Sequence, residues 1–188
     1  MNATARRRAT PVNIAHHVRL LEPRRRWQRR RPVSGEAVQL LSSRYSRVDA
    51  ALMHPDGRPG GWRPWPARPT TSSRRRPWAG KLLPCAVGYD TNYAVDGAAA
   101  GTAPVSRVRD GATGRAMELW ADQPGVQFYT GNFLAGVEGK GGAVYGPHAA
   151  LCLETQGFPD AVNHPNFPSV IVRPGQVYRH LMVFKFSF

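Results

Sequence analysis

Cysteine is nearly absent from this chain: Cys85 and Cys152 are its two thiols in 188 residues. They share no CxxC spacing, so neither a disulfide framework nor a zinc site is indicated, and two reduced thiols in a cytoplasmic protein is the expected state. Long apolar runs are also missing, and nothing approaches the roughly 18 residues of a membrane helix. The segment after Met1 has no apolar stretch of the secretory kind. It is Arg-rich and acid-poor, as organelle transit peptides are, but Pro11 and Pro23 interrupt any clean amphipathic helix there. Strands do not alternate with helices, and no glycine-rich phosphate loop of the GxGxxG or P-loop kind occurs, which excludes the nucleotide-binding α/β classes. Acidic residues are scarce, 12 against 26 Lys and Arg, for a formal net charge of +14.

That charge would point to nucleic acid or an acidic surface if it were spread over the molecule. It is not. From Met1 to Pro84 there are nineteen Lys and Arg against four Asp and Glu, whereas from Cys85 to Phe188 there are seven against eight. The chain therefore divides into an Arg/Pro-rich segment, residues 1–84, and a nearly neutral domain, residues 85–188. The first holds the runs Arg6-Arg7-Arg8, Arg24 to Arg31 and Arg74-Arg75-Arg76, and four of the five Trp residues. Like charges this dense repel and favour a solvated, irregular or disordered chain. Between Pro55 and Pro77 the prolines recur too often for a helix interior or a central strand. Two patches differ: residues 10–17, and residues 38–51 within a loosely alternating stretch from Ala37 to Leu52 that suits strands.

Residues 85–188 read as all-β. Short apolar and aromatic runs are punctuated by turn signals. Ala116 to Ala121, Val126 to Thr130 and Ala150 to Gln156 are expected strands. The glycines from Gly136 to Gly142 are expected to form a long loop, and Pro159 to Pro168 an irregular one. Pro174-Gly175 carries the signature of a type II turn. Val177 to Phe188 follows as an expected strand with apolar residues on both faces at its middle, a pattern that suits a strand covered on both sides in a packed sandwich.

Three strings could carry chemistry. In Leu151-Cys152-Leu153-Glu154-Thr155-Gln156 a strand places Glu154 on the face of Cys152 and Gln156, opposite Leu151, Leu153 and Thr155. A carboxylate there needs polar partners or a cavity, and a partly buried one serves as a general base. A strand-end Glu facing solvent is the alternative. Gly88 to Tyr93 sets Asp90 and Asn92 among aromatics, which suits hydroxyl binding or an Asx turn. Gln127 sits on a short aromatic strand between glycines, as a site residue or as the outward polar residue of a plain core strand. His16 and His17 are the only adjacent histidines.

Taken together these segments resemble the aldose 1-epimerase family. Gly88-Tyr89-Asp90-Thr91-Asn92-Tyr93 is similar to its glycine–aromatic–Asp–x–Asn–aromatic run. Gln123-Pro124-Gly125-Val126-Gln127-Phe128-Tyr129-Thr130-Gly131-Asn132-Phe133-Leu134 matches another of its motifs, although Asp122 stands where the family usually has Thr. Gly139 to Tyr145 is similar to its Gly-Lys loop, and Cys152 to Gln156 with Pro159 to Asn163 matches its Cys-Leu-Glu-Thr-Gln and Pro-Asp segment. Arg173-Pro174-Gly175 and the final strand match its ending. The resemblance resumes upstream at Thr10-Pro11-Val12-Asn13-Ile14-Ala15-His16-His17 and at Val38 to Ala51.

The resemblance implies part of a mutarotase-like β-sandwich and an isomerase that interconverts the α and β anomers of an aldohexose. Glu154 is implied as the base and His17 as the acid, with Asp90 holding sugar hydroxyls and Gln127 lining the site. Reference pKa values of roughly 4.3 and 6.5 suit a Glu base and a His acid near neutrality. No cofactor and no metal are needed, only two proton-transfer groups about the anomeric centre. The small-molecule partner is then a free hexose, and no membrane partner is expected. A non-catalytic sugar-binding module is the alternative within this resemblance. Nucleic acid is disfavoured, since the arginines follow no recognisable fold motif. The family's Asn-Arg and Leu-His-Gly-Gly segments have no counterpart here, so the chain alone is expected to be poorly soluble or inactive. Arg, Pro, Gly, Ala and Trp, all with GC-rich codons, dominate residues 18–37 and 53–84, as a shifted reading frame or altered splice would produce. Sequencing the transcript tests this expectation, and an intact frame across residues 18–37 refutes it.

Overall fold

The computed structural model describes residues 36–46, 62–64, 88–111, 113–139 and 142–188. Within them the chain runs through eleven strands: β1 Glu36–Leu40, β2 Arg44–Ser46, β3 Trp62–Pro64, β4 Asp90–Ala94, β5 Ala103–Asp110, β6 Ala116–Ala121, β7 Gly125–Tyr129, β8 Val137–Gly139, β9 Ala143–Tyr145, β10 Cys152–Gln156 and β11 Met182–Ser187. Two single 3-10 turns, Ala98–Ala100 and Ala161–Asn163, lie between the strands. None of these is long and apolar enough to cross a membrane.

All the pairing is antiparallel. One sheet has the order β1-β5-β6-β11, the second β10-β7-β4-β2-β3, and β8 with β9 forms a separate hairpin. Period-two side-chain alternation dictates how the large sheets meet. On β6, Met117, Leu119 and Ala121 are buried while Glu118 and Trp120 face outward. On β7, Val126 and Phe128 turn inward, and on β10 Leu153 does the same. These residues join Tyr93, Val95, Val105, Val108 and Leu151 in one apolar cluster between the two sheets, as expected of a sandwich. Fully burying each Val, Leu, Met or Phe side chain of the cluster stabilises the fold by about 1.5–3 kcal/mol.

Irregularities have local causes. β5 shifts register between Pro104 and Ser106, where proline has no N–H to give the ladder, and Val105 and Ser106 are then both buried in succession. The Arg173–Gln176 turn closes with Gln176 N–H donating to Arg173 O at 3.0 Å, and Gly175 takes φ 85°, as the type II signature requires. His180 Nε2 lies 2.8 Å from Thr155 Oγ1 and ties the long C-terminal segment to β10.

Three expectations need correction. The glycines of 136–142 do not form a plain loop, because β8 and β9 pair there. A side chain at Gly139 would strike the Tyr145 ring, so that glycine serves cross-strand packing. Only Met182–Ser187 of the expected final strand is a strand. It is also not covered on both faces: Met182 and Phe184 pack on the core, while Val183 on the opposite face is exposed, and the core face itself runs out at Phe186, which is 66% exposed. In the proline-rich stretch the described strand, β3, is an edge strand and not a central one, in keeping with the expectation that the prolines bar a central strand. The patch at residues 10–17 lies outside the described residues.

Core and margin should therefore respond differently to truncation. Leu119→Ala is expected to lower unfolding free energy by about 2–5 kcal/mol, whereas Phe186→Ala should change it by less than about 0.5 kcal/mol. Denaturant titrations followed by tryptophan fluorescence check both, and equal losses would contradict this core assignment.

Candidate active site

The outer face of the five-stranded sheet collects the polar residues. Register makes this unavoidable: Glu154 pairs with Gln127, and Gln127 pairs with Asn92, so one rung carries a carboxylate and two amides across β10, β7 and β4. The next rung carries Cys152, Tyr129 and Asp90. The rung on the other side carries Gln156, Gly125 and Ala94. Since Val126, Phe128 and Leu153 fill the core, every one of these side chains must point away from it.

Three of the four expected site residues are thereby brought together. Glu154, Gln127 and Asp90 are half-buried on one face. Gln127 Nε2 donates to Asp90 Oδ1 at 2.6 Å, a charge-assisted bond that orients both groups. His17 lies outside the described residues. Asn92, in the same patch as Asp90, is 1% exposed and sits next to Gln127; its place was readable from the two-residue spacing, but a turn hides that parity and a strand reveals it. Gln156 Nε2 reaches Asn92 Oδ1 at 3.4 Å.

The face is walled at both ends. Phe158 packs with Ala94, Ala161 and Phe167 at the Gly125 end. Phe158 and Phe167 meet edge-on at 5.1 Å. At the other end Tyr129 stacks on Phe133 at 6.3 Å, and its Oη accepts the Phe133 N–H at 3.0 Å. Thr130 and Asn132 clamp the entry to β4: Tyr89 N–H donates to Thr130 Oγ1 at 2.8 Å, and Asn132 Nδ2 to Tyr89 O at 2.9 Å. Gly88, at φ 94°, fits under them because any side chain there would collide with Asn132, Thr130 and His148. An open recess of about 570 Å³ lined by Ile171, Val172, Gln176, Val177, Tyr178 and Arg179 includes none of the candidate residues.

Electrostatics on this face favour neutral neighbours for the carboxylates. Burial, then the charges of Glu154 and Asp90, push the Cys152 thiol up to about 11. Tyr89, behind Asp90, is raised by burial. A carboxylate, a second carboxylate held by an amide, and aromatic walls can accept hydroxyl protons and cover a small polyol. No group of three or more His, Cys, Asp and Glu able to hold a metal ion occurs among the described residues.

A family model described as aldose 1-epimerase matches residues 1–185. Galactose mutarotase from Homo sapiens is 40% identical over 183 residues, covering 95% of this chain and 51% of that protein. Galactose mutarotase from Mus musculus is 59% identical over 83 residues, 44% of this chain and 24% of that one. Aldose 1-epimerase from Escherichia coli is 31% identical over 101 residues, 53% of this chain and 29% of that one. The solved structure of a GalM/aldose epimerase homologue from C. elegans superposes with a TM-score of 0.70 at 22% identity, over 83% of this chain and 46% of that one, which supports the fold. This chain spans about half the length of the human relative.

A thiol raised in this way stays protonated and unreactive at neutral pH. Cys152 is therefore expected to resist iodoacetamide at pH 8 in the folded chain and to react only as pH approaches 11, read by peptide mass spectrometry. The same elevation contributes stability that is complete below the unfolded thiol pKa and lost as pH rises through about 11. Cys152→Ala should flatten that part of the stability profile.

Proposed function

The chain belongs to the aldose 1-epimerase family, and from that membership we propose that it interconverts the α and β anomers of a free aldohexose by acid–base ring opening. The reading rests on one observation above all: Glu154, Gln127 and Asp90 share one outward face across three paired strands, with Gln127 bonded to Asp90. In this mechanism Glu154 takes the proton from the O1 hydroxyl. The electron pair of that bond forms the C1 carbonyl while the C1–O5 bond breaks, and an acid gives its proton to O5. Rotation about C1–C2 presents the other face of the carbonyl. Reversal of the proton transfers then closes the ring as the opposite anomer, with no net change in atoms or charge.

His17 is assigned the acid role by its place in the upstream family motif, and Asp90 and Gln127 hold sugar hydroxyls. The proton donor and acceptor must come within about 3 Å of the sugar oxygens. A carboxylate paired with a histidine suits a reversible shuttle, whereas glycoside hydrolysis would call for two carboxylates in acid and nucleophile or base roles. The substrate class is an aldohexose, and the spare use of cysteine supports a cytoplasmic location.

Polarimetry on freshly dissolved α-D-galactose or α-D-glucose tests the proposal. Against the expectation of inactivity drawn from the missing family segments, the wild-type chain should accelerate the approach to equilibrium rotation, and Glu154→Gln should reduce that acceleration by about 10²–10⁴-fold, the usual range for general acid–base catalysis. Sugar binding without acceleration by the wild type would reassign the chain as a carbohydrate-binding module. Equal rates for wild type and Glu154→Gln would remove the base.

A further inference from the structure

The deepest polar groups of this face are incomplete among the described residues. Asn92 is 1% exposed, and its Nδ2 has no hydrogen-bond partner. Gln127 Oε1 is likewise buried and unpartnered. One is a donor and the other an acceptor, and they belong to residues that are register partners on β4 and β7, standing side by side on one face. Buried polar atoms are rarely left unpaired, so such a pair calls for a joint explanation.

Chemistry fixes the direction. A carboxylate only accepts, so Gln127 must present its NH₂ to Asp90, as it does at 2.6 Å. Its carbonyl is then turned to the rest of the face and requires a donor. Asn92 already uses its carbonyl to accept from Gln156 Nε2 at 3.4 Å, which leaves its NH₂ as that donor. We propose that Gln156, Asn92, Gln127 and Asp90 form a one-way amide relay ending on the carboxylate, and that Asn92 is thereby a positioning residue for the sugar site. Asn92 Nδ2 supplies the middle link to Gln127 Oε1, by side-chain rotation or through one water.

Gly125 is a second observation that fits this arrangement. Gln156 must cross β7 to reach Asn92, and the residue it crosses is Gly125, its own register partner. A Cβ there would lie 2.7 Å from Asn92 Oδ1 and 2.9 Å from Phe158 Cδ1. Glycine at this strand position keeps the crossing open, while Phe158 covers it and strengthens the hydrogen bonds by excluding water.

The consequence for the site is orientational. An amide that can flip would turn its carbonyl toward Asp90 and repel it. A Gln127 pinned through Asn92 keeps one Asp90 oxygen engaged and presents the other to a hydroxyl. That last step rests on the sugar-site reading above, whereas the relay itself rests on the amide geometry.

NMR on the ¹⁵N-labelled full chain, without sugar, tests the relay. The Gln127 side-chain amide protons should exchange with solvent slowly in the wild type. Asn92→Asp keeps the shape but cannot donate when ionised, and should speed that exchange at least about tenfold while the Leu153 backbone amide stays protected. Gln156→Leu should produce the same change, and it decides the matter if Asn92→Asp does not fold. Unchanged Gln127 exchange in the folded variants overturns the relay. Titration with α-D-galactose separates the two readings: an approximately tenfold weaker affinity in both variants supports positioning. A relay intact in a wild-type chain that binds no sugar overturns the sugar site and not the relay.

Discussion

The pleat of β7 ties the core of this protein to its chemistry. Val126 and Phe128 enter the apolar cluster, so Gln127 between them must leave it, and antiparallel register then sets Glu154 on one side and Asn92 on the other. A slip of one residue would drive the amides and the carboxylate into the core and bring the apolar side chains out. Burial of Val126 and Phe128 on β7, with Tyr93 and Leu153 on its neighbours, therefore holds the polar face in place, and the site inherits its geometry from packing that lies on the opposite side of the sheet.

Polar groups gathered so closely need to be arranged to coexist. Hydrogen bonds on this face run between strands, from Gln127 to Asp90 and from Gln156 to Asn92, so each also cross-links the sheet. Aromatic walls at Phe158 and Tyr129 lower the local dielectric, which strengthens satisfied bonds and penalises unsatisfied ones. Salt bridges on the other sheet work under different terms. Arg107 and Glu118 meet at 3.0 Å but stand largely in solvent, and such pairs contribute at most about 1 kcal/mol.

Much of this was legible in the sequence where alternation is clean. The parity of Leu151 to Gln156 places Glu154 opposite the core leucines, and the three-dimensional register agrees. Turn chemistry at Pro174-Gly175 was equally readable, since few residues other than glycine accept φ 85°. Legibility failed where one residue type has two physical meanings. Glycine marks loops, yet Gly139 and Gly125 lie in strands because rings or amides occupy the space of their missing side chains. Apolar residues on both sides of the last strand suggested cover on both faces, but burial depends on what packs alongside, which local sequence does not encode. Gly88 to Tyr93 suits hydroxyl binding or an Asx turn in sequence, and the strand decides that the spacing that sets Asp90 on the outer face sets Asn92 there too.

Two carboxylates on one face raise the question of which is the base. Asp90 has one oxygen committed to Gln127 at 2.6 Å, a short charge-assisted bond that orients it and suits the hydroxyl-holding role we propose for it. Glu154 stands one rung away, beside Gln127 on β10, and in the mechanism we propose it meets a different oxygen of the same sugar. Cys152 shares this face with both. If it ionised, a third negative charge would join the carboxylates. Burial and the two acids together keep it a thiol to about pH 11, so it fills space without adding charge. That neutrality keeps a third charge off a face on which two carboxylates already stand one rung apart, on strands that flank β7.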